Sequence, residues 1–176
     1  YDGAIQNTAV PVPEWVEMTG LFQEQPVCWY STELRPNRHE SQQDRSYRNN
    51  CEVQQMKALL GNLDLVLSAQ NCDEKIKVLL LAPYSAQVNA IRQSLQSIVL
   101  PSGNLSLEVN TVDAAEGREA DVLLFSTTRS NSAGQIGFLK ELSRANVALS
   151  RARYLLAIVG DASFLSLVES PFKRVL

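Results

Sequence analysis

The chain has 176 residues, 45% of them hydrophobic and 20% charged, with a formal net charge of −3. That length suits one domain able to bury a substantial core, and the composition excludes a disordered or fibrous protein. The longest apolar runs, "VLLLA" (78–82) and "LLAIV" (155–159), are far too short to cross a bilayer, so no membrane role is expected.

The three cysteines, Cys28, Cys51 and Cys72, form no CxxC pair and cannot complete a disulfide set, which points to a reducing, intracellular setting. His39 is the only histidine, which argues against a metal site. Net negative charge argues against a broad nucleic-acid-binding surface but leaves room for a local basic groove. No secretion signal is recognisable, and "YDGAIQNTAVPVPEW" reads as a cut inside a longer protein.

The first 45 residues read as irregular. Two prolines break "VPVPEW" (10–15), "PVCWYS" (26–31) suits a strand, and "TELRPNRHESQQDRS" (32–46) suits an exposed loop. A helix is predicted from Asn50 to Ser68, where Val53, Met56, Leu60, Leu63 and Leu67 follow a 3.6-residue period; Asn49 or Asn50 could cap it. "KVLLLA" (77–82) predicts a strand buried on both faces, and "SAQVNAIRQSLQSIV" (85–99) an amphipathic helix. "SLEVNTV" (106–112) and "DVLLFST" (121–127) read as strands. "NVALSRA" (146–152) reads as a helix, "YLLAIVG" (154–160) as a strand and "ASFLSLVE" (162–169) as a helix. Strands alternating with helices at this spacing indicate an α/β fold, a mostly parallel sheet with helices on both faces.

In such sheets ligands gather at the carboxyl ends of the strands. The loops there are "PYSAQ" (83–87), the charged "DAAEGREAD" (113–121), and "TRSNSAGQIG" (128–137). Gly117 would let the backbone approach a ligand closely. On the predicted arginine helix, Arg144 and Arg151 are seven residues apart and share nearly one azimuth, with Arg153 roughly opposite. Half-buried guanidinium groups need a negative partner, either a surface carboxylate such as Glu141 or Asp161 or the phosphates of a ligand.

In order, "APYSAQ", "TVDAAEGREADVLLFSTTRSN", "GFLKELSRANVALSRAR" and "LLAIVGD" resemble the helicase motifs of superfamily 1, nearest to the group of the nonsense-mediated-decay helicase and senataxin. "YDGAI" and "SYRNNCE" (46–52) extend the resemblance upstream, so that it covers most of residues 1–165. It implies a RecA-like three-layer sandwich, and that residues 1–176 are the second, C-terminal RecA-like domain of an ATP-dependent DNA or RNA helicase.

The roles it implies are these. Arg151 matches the arginine finger that stabilises charge on the γ-phosphate, a contribution of roughly 10³–10⁵ to phosphoryl-transfer rates. Glu119 matches the acid on the nucleotide ribose, Gly117 the glycine that permits that approach, and Arg118 a group near the phosphates. Thr111, with the backbone of Val112 and Asp113, resembles the nucleic-acid-contacting start of the same motif. Pro83, Tyr84 and Gln87 resemble the strand end beside the nucleic-acid track, and Arg129 and Asn131 a loop linking the two ligands.

The chain departs from the family at Ala115 and Glu116, where an aromatic and Gln are usual. It departs again at Ser143 and Ala145, where Arg and Leu are common. A carboxylate at Glu116 beside a triphosphate is unfavourable unless a cation such as Arg118 offsets it.

There is no GxxxxGK[ST] phosphate loop and no apolar strand ending in Asp-Glu for Mg²⁺. The family carries both on its first RecA-like domain. ATP and Mg²⁺ are therefore expected to be held mainly by that domain, absent from this sequence, and these residues alone to be inactive. The expected partners are single-stranded DNA or RNA and the N-terminal RecA-like domain of the same protein.

Overall fold

The computed structural model describes residues 12–18, 25–169 and 172; the "YDGAI" segment lies outside them. Along the chain come α1 (Glu14–Met18), β1 (Val27–Ser31), β2 (Ser41–Gln43), β3 (Ser46–Arg48), α2 (Asn50–Ala69), β4 (Ile76–Ala82), α3 (Ser85–Leu95), β5 (Leu105–Thr111), β6 (Ala120–Ser126), α4 (Leu142–Leu149), β7 (Ala152–Gly160) and α5 (Ala162–Leu167). Single 3₁₀ turns occupy Asp113–Ala115 and Gly137–Lys140.

Five strands form one sheet in the order β1-β7-β6-β4-β5, and every neighbouring pair is parallel. The apolar runs place the central strands. In β4, Val78, Leu80 and Ala82 turn to one face and Leu79 and Leu81 to the other, all almost fully buried. On the first face pack Val53, Met56, Leu60, Leu63 and Leu67 of α2, Val88 and Ile91 of α3, and Trp15. On the second pack Ala145 and Ala148 of α4, Leu165 of α5, Ile136, Leu139 and Phe172, the last stacked on Phe125 at 5.6 Å. Each fully buried Leu or Phe is worth about 1.5–3 kcal/mol of transfer free energy. Helices on both faces of a parallel sheet make this the RecA-like α/β sandwich.

Three expectations change in detail. Part of the polar stretch after Ser31 is a hairpin, β2 paired antiparallel to β3, rather than a loop. Ser46 of that hairpin caps α3, its Oγ accepting from Ala86 N at 3.1 Å, because the N-cap residue Tyr84 supplies no side-chain cap. Helix α3 ends at Leu95, and Gln96, Ser97 and Ile98 follow with i→i−3 bonds, the tighter turn common at helix ends. Helix α4 stops at Leu149, so Arg151 sits in the turn before β7 and Arg153 on the strand itself. Among the described residues no helix is long and apolar enough to cross a membrane.

Candidate nucleotide and nucleic-acid site

A parallel sheet has two distinct ends, and the residues singled out from sequence divide between them. β5 ends at Thr111, and the chain then crosses the α4 face of the sheet, passing β4, to begin β6 at Ala120. Gly117, Arg118 and Glu119 precede β6 and Arg151 precedes β7, so these four lie at the amino ends. The expectation that ligands gather at carboxyl ends therefore fits only the other group.

At the amino ends, Arg151 Nε donates to Val147 O at 2.9 Å, Nη2 to Ser150 Oγ at 2.9 Å and Nη1 to Arg118 O at 3.4 Å. Those three bonds close the C-terminal turn of α4 and tie it to the crossover. A guanidinium carries five N–H donors, and among the described residues Arg151 forms no carboxylate pair. It is half-buried, a cation that no carboxylate among the described residues neutralises. Its neighbours differ: Arg118 pairs with Glu108, and Arg153 with Glu119 at 3.4 Å, both contacts being exposed. Exposed pairs of this kind are worth under about 1 kcal/mol, so Glu119 is easily released. Gly117 has φ +74°, and a Cβ built there would meet nothing within 4 Å, leaving open room beside the backbone. Glu116 is exposed and forms no ion pair among the described residues, so Arg118 does not offset it.

At the carboxyl ends, Tyr84 is the centre. Its hydroxyl accepts from Arg129 Nη1 at 3.2 Å and Phe138 N at 3.1 Å, and its ring meets Tyr47 edge-on at 5.3 Å. Pro83 beneath it is buried. Arg129 is only 3% exposed. Its Nε pairs with Glu40 at 3.0 Å and its guanidinium lies 4.1 Å over the Tyr47 ring. Asn131 donates Nδ2 to Glu40 at 2.9 Å. Gln87 is fully buried: its Oε1 accepts from Asn49 N and its Nε2 donates to Ser126 Oγ and Asn49 O. Gln87 and Arg129 thus lie under the rim as supports, while Tyr84, Thr111, Asp113 and Asn131 keep accessible surface. Thr111 Oγ1 accepts from Ala114 N at 3.4 Å, Val112 is buried behind it, and Asp113 pairs with Arg144 at 3.4 Å. Arg144 also pairs with Glu141 and lies 4.0 Å over the Phe138 ring.

Sequence reasoning missed Glu40, the counter-ion of Arg129, because one acid in "RHESQQD" gives no local signal. It also missed the buried carboxyl of Glu52 on the first turn of α2, which accepts hydrogen bonds from Ser126, Thr127 and Thr128. Burial pushes that carboxyl up to about 8, against the pull of those three bonds. Among the described residues no three His, Cys, Asp or Glu side chains are grouped to hold a metal ion.

A parallel sheet covered by helices on both faces is the architecture of the RecA-like class of domain. Residues 1–163 match the family model described as "AAA domain". The DNA polymerase alpha-associated DNA helicase A of Saccharomyces cerevisiae is 32% identical over 143 residues, 80% of this chain and 20% of that protein. The putative regulator of nonsense transcripts 1 of Takifugu rubripes is 32% identical over 171 residues, 94% of this chain and 15% of that protein. The mouse DNA-binding protein SMUBP-2 is 40% identical over 85 residues, 48% of this chain and 8% of that protein. The chain belongs to this AAA-domain family and is a superfamily 1 helicase domain. It spans a fifth or less of the length of these relatives.

Proposed function

We propose that residues 1–176 are the C-terminal RecA-like motor domain of an ATP-dependent DNA or RNA helicase, and that Arg151 is its arginine finger. The observation that carries this reading is the state of Arg151: half-buried, fixed by neutral oxygens and paired with no carboxylate among the described residues, beside the open turn at Gly117. A planar cation held this way suits phosphate oxygens presented by a facing domain. Glu119, held only by an exposed pair, turns to the ribose hydroxyls, and Arg118 adds positive potential near the phosphates. A P-loop domain of the same protein supplies the phosphate cradle and the Mg²⁺ ligands, which this chain's residues do not.

At the opposite end of the sheet, Tyr84, Thr111, the backbone of Val112 and Asp113, and Asn131 line a track for a single strand. Pro83, Gln87 and Arg129 hold that rim from beneath. Nucleotide contact at Arg151 and Glu119 forms only when the facing domain closes, and hydrolysis removes that preference, so closure and reopening alternate. With each domain gripping the backbone of one strand, the cycle moves it stepwise.

In the complete polypeptide, Arg151→Ala should reduce strand-stimulated ATP hydrolysis by about 10³ or more while nucleotide affinity changes little. Normal turnover in that variant rejects the role. Glu116, a carboxylate at the rim that no cation among the described residues pairs with, favours a second reading in which the domain binds nucleic acid or a protein without chemistry. Strand-stimulated ATP hydrolysis by the intact protein excludes that alternative; its absence favours it.

A further inference from the structure

Thr128 has φ +68°, a left-handed backbone that a β-branched residue adopts only under constraint. It lies two residues beyond the end of β6 and immediately before Arg129. The constraint is visible. Glu52 Oε2 accepts from Thr128 N at 2.8 Å and from Ser126 Oγ at 2.6 Å. Glu52 Oε1 accepts from Thr127 Oγ1 at 3.2 Å and Asn49 Nδ2 at 3.2 Å. Asn49 in turn donates to Thr128 O at 3.2 Å, so the strained residue is gripped at both of its backbone polar groups. Glu52, Asn49, Gln87, Ser126, Thr127 and Thr128 are all almost fully buried. The chain kink they impose sends Arg129 under Tyr84 and Asn131 to Glu40.

We propose that Glu52 is a positioning residue for the single-strand track: its carboxyl clamps Thr128 in the left-handed conformation and thereby aims the 129–131 segment that supports Tyr84. This rests on the reading of the Tyr84 rim as a strand-binding surface. A core carboxyl whose only role was to fill space would not converge on a β-branched residue held at positive φ. Nor would it share its partner Ser126 with Gln87, which anchors the Tyr84 corner from α3.

Three variants of the complete polypeptide test it. Glu52→Asp withdraws the carboxyl by one methylene, out of reach of Thr128 N, and leaves only a small void. Glu52→Gln keeps a carbonyl oxygen that can still accept from Thr128 N. Glu52→Asp combined with Thr128→Gly removes the clamp together with the need for it, because glycine adopts positive φ freely.

The readouts are the concentration of a uniform-sequence oligonucleotide, (dT)₂₀ or (U)₂₀, that gives half-maximal ATP hydrolysis, the turnover at saturation, and amide hydrogen exchange of residues 126–131. The expected result for Glu52→Asp is a roughly tenfold rise in half-saturating oligonucleotide, turnover at saturation within about twofold, and faster exchange at Thr128 and Arg129. Glu52→Gln stays within about threefold of the parent, and the double variant returns toward it. The proposal is overturned if Glu52→Asp lowers thermal stability without moving half-saturation or exchange, or if Thr128→Gly restores neither. Should the parent neither hydrolyse ATP in response to the oligonucleotide nor bind it, the strand-track reading itself fails. The exchange data then decide on their own whether Glu52 holds the segment: unchanged exchange in Glu52→Asp refutes the clamp.

Discussion

The guanidinium of Arg151 reaches the carbonyl oxygen of Arg118 at 3.4 Å, joining the end of α4 to the crossover that feeds β6. One side chain thus both caps a helix and stands at the candidate nucleotide rim, and the two roles are separable. Arg151→Lys keeps the charge and can donate to one of the three oxygens now bonded, so urea denaturation should show a loss of about 1 kcal/mol or less. A lysine cannot present the planar fork to phosphate, so ATP hydrolysis in the complete polypeptide should still fall by about 10³. Loss of stability and loss of hydrolysis in proportion would mean that the cap is the whole story.

Gly137 offers a way to disturb the other end of the sheet alone. Its φ is +59°, and a Cβ there would stand 2.5 Å from Tyr84 Oη and 2.7 Å from Arg129 Nη1. Gly137→Ala should therefore displace the Tyr84–Arg129 contact and weaken single-strand binding several-fold, read by fluorescence anisotropy of a labelled oligonucleotide. Nucleotide affinity should stay unchanged, because Arg151 and Gly117 lie at the opposite strand ends. Equal loss of both affinities would contradict the division of the site.

Much of this architecture is legible in the chain itself, for definite reasons. Continuous apolar runs such as "VLLLA" have one cheap solution, a strand buried on both faces, and Asn49 caps α2 through Glu52 N as its residue type suggests. Other features depend on partners remote in sequence. Arg129 reads as an exposed loop cation until Glu40, 89 residues away, neutralises it inside the fold. The strand hairpin carries no local signal, because its segments are three residues each and its β2 side chains are all exposed, leaving no alternation. The sequence pattern puts Arg151 on a helix that in fact ends two residues earlier; helical periodicity locates an axis far better than an end.

Phe125 tests the packing that carries α4. Its ring is almost fully buried on the α4 face and lies parallel to Phe172, 10° between planes. Phe125→Ala removes that stack and opens a cavity, and should lower unfolding free energy by about 3–5 kcal/mol in urea denaturation. A loss below about 1 kcal/mol would show that the α4 face repacks freely and that the crossover is not held by a rigid core.

The buried carboxyl of Glu52 gives the molecule a pH dependence opposite to that of an ordinary paired acid. Desolvation, and to a lesser extent the nearby carboxylate of Glu40, raise it against the pull of Ser126, Thr128 and Thr127, and the balance moves it from 4.5 to about 8. Between those two values the folded chain holds a proton that the unfolded chain has released. Stability from this group is therefore fully present below about pH 4.5 and declines as pH rises toward 8, by up to about 1.4 kcal/mol per unit. Asp161 acts elsewhere. Burial pushes it up, but Ser130, the Phe164 amide, Ser163 and Arg38 together hold it below 3.8, so its contribution is lost only in stronger acid. Urea midpoints measured from pH 5 to pH 8 should fall for the parent and run much flatter for Glu52→Gln, which has no proton to lose. Parallel slopes in the two proteins would show that the carboxyl is already ionised in the folded state, and that the hydrogen bonds converging on it outweigh its burial.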